Sequence, residues 1–146
     1  METIHIACDH AGLELKETLK SALEARGFQI CDHGTNSRES CDYPQYAHAL
    51  CAAVEAENGR GILICGTGIG MSIAANRHAG IRAALCTTEL HARFTRLHNN
   101  ANVLCLGARV TGVELALAIM NVFLDTAFEG GRHQRRLDQL NPQSAR

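Results

Sequence analysis

The chain carries no charge excess of either sign: 14 Lys and Arg against 15 Asp and Glu leave a formal net charge of −1. Bulk electrostatics therefore gives no reason to expect a nucleic-acid or membrane partner. No apolar run approaches the ~20 residues that a bilayer span needs. The chain opens on a strand pattern, Ile4-His-Ile-Ala-Cys8, so no signal or transit peptide is expected. Linkers, internal repeats and low-complexity stretches are also missing, which predicts one domain over 1–146 with a basic segment from about 130 to the end. Seven cysteines include no C-x-x-C pair, and the eight histidines include no H-x-x-x-H. No metal and no cofactor are expected from these spacings. In a chain this apolar the thiols read as reduced, which points to the cytoplasm.

What is present is a β-α alternation. Strand patterns fall at about 3–8, 28–32, 61–65, 81–86 and 102–106. Helical patterns fall at about 11–26, 44–57, 70–78, 88–98 and 112–126, and a short basic helix follows Gly130-Gly131. Mostly apolar strands separated by helices predict a parallel sheet covered on both faces, a three-layer α/β/α sandwich of Rossmann-like type. In such a sheet, ligands bind beyond the carboxyl ends of the strands.

The most informative stretch is Gly61-Ile-Leu-Ile-Cys-Gly-Thr-Gly-Ile-Gly-Met-Ser-Ile-Ala-Ala-Asn76. An apolar strand delivers Cys65, and three glycines at alternate positions lead into a helix. Backbone N–H groups in such a turn converge on an anion. The lysine of G-x-x-x-x-G-K-[ST] is missing, and Gly66-x-Gly68-x-Gly70 has the wrong spacing for a dinucleotide loop. A thiol beside an anion nest suits proton abstraction with an oxyanion intermediate.

Each further candidate has a plain structural reading beside a functional one. Cys65 is either a strand-end hydrophobe or a base, with Cys8 as the internal competitor. Asp9 either caps the first helix or contacts a ligand, with His10 beside it. His98, before Asn99-Asn100, either caps carbonyls at a helix end or takes part in chemistry. All of these are expected on the same rim as Cys65. Arg132 and Arg136 share one helix face, as a solvated tail or as a phosphate clamp. His5, His48, His78 and His91 read as structural or surface residues.

Together the motifs Cys8-Asp-His-Ala-Gly12, Gly34-Thr35, Asp42-Tyr-Pro44, the glycine stretch, His98-Asn99, Gly107-Ala-Arg109 and Glu129-Gly-Gly-Arg-His-Gln134 closely resemble the ribose-5-phosphate isomerase B family. That family includes the galactose-6-phosphate isomerase subunits, and the similarity runs collinearly through nearly the whole chain. The resemblance implies a five-stranded sheet of order 2-1-3-5-4 and an aldose-ketose isomerase needing no metal or cofactor. It implies that Cys65 moves a proton between C1 and C2, that Gly66, Thr67, Gly68, Ile69 and Gly70 form the anion hole, and that Thr67 assists ring opening. By the same resemblance His98 is the ring-opening acid, and Asp9, Tyr43 and Asn99 contact the sugar. His10, Arg109, Arg132 and Arg136 resemble phosphate-site residues. Sites shared between two subunits, in a homodimer or a dimer of dimers, are also implied. One departure is Asn100, where many members carry an acid. The implied substrate is ribose 5-phosphate in exchange with ribulose 5-phosphate. A six-carbon sugar phosphate such as allose or galactose 6-phosphate is the nearest alternative, and a non-catalytic sugar-phosphate sensor a more distant one.

Overall fold

A computed structural model describes residues 1–142, so the last four residues of the predicted basic segment lie outside the described part. Five strands, β1 (Thr3–Cys8), β2 (Gln29–Asp32), β3 (Arg60–Cys65), β4 (Ala83–Leu85) and β5 (Val103–Gly107), form one parallel sheet of order β2-β1-β3-β5-β4. Among the described residues six α-helices complete the domain, α1 (Leu13–Ala25), α2 (Tyr43–Glu57), α3 (Ile69–Ala75), α4 (Glu89–Asn99), α5 (Val113–Asp125) and α6 (Arg132–Leu137), with a 3-10 turn at His10–Gly12 before α1. Both the strand order and the three layers agree with the expectation.

Period-two alternation along β3 builds the two faces. Ile62 and Ile64 join Leu15, Leu19 and Leu23 of α1 and Phe123 of α5 in one core. Leu63 and Cys65 join Leu50 and Val54 of α2 and Met71 of α3 in the other. Local signals set the helix ends. Pro44 occupies the first turn of α2, where its missing N–H costs nothing. Asn58 closes that helix at φ 50°, a conformation asparagine tolerates well. The Thr88 hydroxyl accepts the His91 N–H at 3.1 Å to start α4. Several elements are shorter than predicted: α1 runs only from Leu13 to Ala25, α3 ends at Ala75, and β4 at the sheet edge pairs with β5 over only three residues.

One buried charge ties an edge strand to the rim. Lys16, fully buried in α1, donates to Asp32 Oδ1 at 2.8 Å, to the Thr35 carbonyl at 2.5 Å and to Asn36 Oδ1 at 3.1 Å. Burial alone would raise the Asp32 carboxyl, but the Lys16 and Lys20 ammoniums hold it below the usual value. Its contribution to stability is therefore present above the unfolded-state value of ~3.9 and lost as pH falls through the lower native one. Asp32→Ala is expected to cost ~3–5 kcal/mol in urea unfolding, because it strands the Lys16 charge. Lys20→Ala, removing a partly exposed partner of the same carboxylate, is expected to cost under ~1 kcal/mol.

Candidate active site

The glycine loop is held by what packs against it. Gly68 sits at φ +80°, and a Cβ on it would stand 2.5 Å from Leu85 Cδ1. A Cβ on Gly70 would stand 2.5 Å from the Tyr43 ring, so that ring lies directly over the loop. Arg109 rests against the other end: its N–H donates to the Gly66 carbonyl at 2.9 Å, and its guanidinium lies over Gly66. Thr67 is exposed, and its Oγ1 accepts the Ile69 N–H at 3.3 Å.

Two strand-end thiols face this rim with opposite hydrogen-bond roles. Cys8 donates its S–H toward the Thr35 carbonyl at 3.7 Å, and burial pushes its thiol up to about 12. Burial likewise pushes Cys51 and Cys86 up to about 12 and Cys105 well above its ordinary value. The Cys65 sulfur instead accepts a hydrogen bond, from the Gly68 N–H at 3.2 Å.

The register of β1 on β3 sets Asp9 beside Cys65: Cys8 pairs with Ile64, and the Asp9 N–H donates to the Ile64 carbonyl at 3.1 Å. Asp9 does cap the turn after β1, its Oδ1 accepting the Ala11 N–H at 3.0 Å. His10 Nδ1 accepts the Cys41 N–H at 3.3 Å, which leaves the ring proton on Nε2. Asp9, His10, Tyr43, Cys65, the loop 66–70 and Arg109 thus share the carboxyl edge of the sheet.

His98, Asn99, Arg132 and Arg136 do not join them, and the single rim expected for His98 and Asn99 is corrected here. Helix α4 runs antiparallel to the strands, so its last turn returns to the amino edge. There the Asn100 carbonyl accepts from Arg82 Nε at 2.9 Å, just before β4 begins, and the Ala101 N–H donates to the Thr95 carbonyl just before β5. Asn100 adopts φ 46° and takes Arg96 Nη1 on its Oδ1 at 3.0 Å, so its side chain serves the helix end. His98 stacks on His133 with ring centroids 4.2 Å apart, and each Nε2 lies 3.7 Å from Glu129 Oε2. Arg132 and Arg136 lie on α6 beside this group and are exposed.

His133 was not among the candidates. It is 5% exposed, and its Nε2 has no hydrogen-bond partner among the described residues. The signal for it was its place between Arg132 and Arg136 on so short a helix, where the neighbouring position turns inward.

The geometry defines an open parallel α/β enzyme domain with a thiol and backbone amides at one edge and imidazoles and guanidiniums at the other. The chain belongs to the Ribose/Galactose Isomerase family, whose model matches residues 4–140. It is 48% identical over 141 residues to ribose-5-phosphate isomerase B of Escherichia coli (strain K12), covering 96% of this chain and 95% of that protein. A ribose 5-phosphate isomerase structure from Thermotoga maritima superposes with TM-score 0.94 at 51% identity, covering 97% of this chain and 98% of that one. Ribose-5-phosphate isomerase B from Mycoplasma genitalium, solved with bound ribulose-5-phosphate, gives TM-score 0.94 at 41% identity and covers 98% of this chain and 96% of that one.

Burial, then the neighbouring His98 ring and Arg132, hold the His133 imidazole below its ordinary value. The native state therefore refuses a proton that the unfolded chain accepts, and stability is lost as pH falls through the unfolded value of ~6.5. Denaturant unfolding measured from neutral pH downward should show this loss, and His133→Gln should flatten it.

Proposed function

We propose that the chain interconverts ribose 5-phosphate and ribulose 5-phosphate by proton transfer through an enediolate. The observation that carries this reading is the Gly68 N–H aimed at the Cys65 sulfur, at the mouth of the glycine loop. In the open-chain aldose, the Cys65 thiolate removes the C2 proton. The electron pair becomes the C1–C2 double bond, and the C1 oxygen takes the negative charge. Backbone N–H groups of the Gly66–Gly70 loop face that charge. A proton then passes from O2 to O1, and the thiol returns its proton to C1, leaving the ketose and the starting thiolate. A positioned base contributes ~10²–10⁴-fold and one anion-hole donor ~10²–10³-fold. Asp9 and Tyr43 border the sugar in this reading, Thr67 and His98 assist ring opening, and Asn99 binds near the reacting oxygens. Arg109, His10, Arg132 and Arg136 hold the phosphate, whose binding energy positions the carbons against the sulfur.

Because His98 and Cys65 occupy opposite edges of one chain, the complete site is proposed to form between two copies related by a two-fold axis. Supporting this, Ile69 and Ile73 of α3 and Leu90 and Phe94 of α4 leave between 44% and 54% of their surface exposed. Apolar exposure beside a site marks a surface built to be covered. A homodimer, or a dimer of dimers, in the cytoplasm is the assembly this reading calls for, since seven free thiols suit a reducing compartment.

Two experiments test the reading. Cys65→Ala should lower turnover of ribose 5-phosphate by at least ~10²-fold while leaving the circular dichroism spectrum unchanged. Retained turnover would transfer the base role elsewhere, and faster turnover of a six-carbon aldose phosphate by the unmodified enzyme would replace the pentose assignment. Mixing and reassociating Cys65→Ala with His98→Ala subunits tests the shared site. Half of random dimers pair the two variants and hold one intact site of two, so activity should recover to about a quarter of the unmodified level. No recovery on verified exchange of subunits would overturn the shared site.

A further inference from the structure

A second cluster of ligand-type side chains lies away from both half-sites, where β1 and β2 pass beneath the C-terminal turn of α2. The parallel register sets His5 opposite Cys31, and His33 follows Cys31 by two residues at the end of β2. One ligand atom from each of His5, Cys31 and His33 lies within 4.8 Å of the others. His5 is 1% exposed, yet both its ring nitrogens are engaged: Nδ1 lies 2.9 Å from His33 Nε2, and Nε2 lies 2.7 Å from Glu57 Oε2.

From these contacts we propose that His5 Nδ1, Cys31 Sγ and His33 Nε2 bind a zinc-class divalent cation that fastens the edge strand β2 to β1 and α2. A carboxylate only accepts, so the proton of neutral His5 sits on Nε2, where Glu57 takes it. The Nδ1 lone pair then faces His33 Nε2, whose proton a bound cation would replace. Carboxylate, imidazole and metal in line is the usual way a protein fixes the ligating nitrogen of a metal-bound histidine. Two imidazoles and a thiolate form a borderline-soft set that suits zinc over calcium or magnesium, with water in the fourth position.

The separation of the two ring nitrogens is close to what the assignment needs, and the sulfur lies within 4.8 Å of them. Zinc bonds of ~2.0–2.1 Å to nitrogen and ~2.3 Å to sulfur set N···N at ~3.4 Å and N···S at ~3.6 Å in a tetrahedron. The two histidine nitrogens need to part by only about half an ångström, which the half-buried His33 ring allows. Coordination deprotonates Cys31 and releases that proton to solvent; nothing is oxidised or reduced. The site is independent of the isomerase reading, because none of its ligands takes part in the proposed proton transfer.

Cobalt(II) titration of the chelator-treated, fully reduced protein tests it. One equivalent per chain should raise a thiolate-to-cobalt charge-transfer band, and zinc should abolish that band by displacement. Cys31→Ser and His33→Gln, both at half-buried positions, should remove the band, and Glu57→Gln should weaken zinc affinity ~10–100-fold while keeping it. Zinc should also raise the thermal midpoint of the unmodified protein but not of His33→Gln. The His98, Glu129 and His133 group has no thiol and cannot give such a band. Absence of the band in the unmodified protein, or its survival in Cys31→Ser, overturns the proposal.

Discussion

A Cβ atom at position 107 would stand 2.5 Å from the backbone of Thr67, and one at position 68 would stand 2.9 Å from the carbonyl carbon of Leu106. Two glycines thus let the loop after β3 lie flat against the end of β5, main chain upon main chain. Real side chains essentially never approach backbone that closely, so a methyl group at either place would lift the loop off the strand. The consequences converge on sulfur. With the loop down, the Ala108 N–H donates to the Cys65 carbonyl at 2.9 Å and the Gly68 N–H reaches the Cys65 sulfur. The same close approach leaves room for the Tyr43 ring above Gly70 and for the Arg109 guanidinium above Gly66. Rigid backbone donors need no reorganisation when charge develops, which is the quality an anion site requires.

The loop between β2 and α2 answers to a different constraint. Residues 33–42 have no regular structure of their own, yet they carry the Cys41 amide that orients His10 and lead into Tyr43. Their anchor is the buried Lys16 ammonium. It gathers the Asp32 carboxylate, the Thr35 carbonyl and the Asn36 side-chain amide around one charge. A lone ammonium there would be costly to desolvate, so the loop is held to the one position in which all three acceptors are met.

Much of this was legible in the residues. Apolar strands, helix-opening Pro44 and the alternate glycines fixed the element order, and the helix ends deviate by up to three residues because caps decide them locally. The edge on which His98 falls was misread for a geometric reason. A residue's nearness to the next strand in sequence says that it precedes that strand, and in a parallel sheet what precedes a strand lies at its amino end. The metal-type cluster escaped for a related reason. Spacing rules for helices and knuckles do not detect ligands that a strand register assembles, although Cys31-x-His33 already places two of them on one face of a strand. His133 lay hidden in a basic hexapeptide, where composition suggests solvent and the helical turn provides burial.

The separation of the two half-sites bears on how the fold carries its chemistry. Strand ends at one edge give a rigid thiol and fixed amides, but few long side chains. Helix ends at the other give stacked imidazoles and reaching guanidiniums, but no nest. On the proposed reading a two-fold axis brings the rim of one copy to the opposite edge of its partner, and each dimer then holds two identical sites. Such an arrangement makes association and catalysis a single event: an isolated chain would keep its thiolate environment yet lack the acid and half of its phosphate contacts. The exposed Ile69 and Ile73, on the helix that follows the glycine loop, would then serve both purposes. Covering them with a partner buries apolar surface and presses the loop against β5, so the interface that completes the site also stiffens its anion nest.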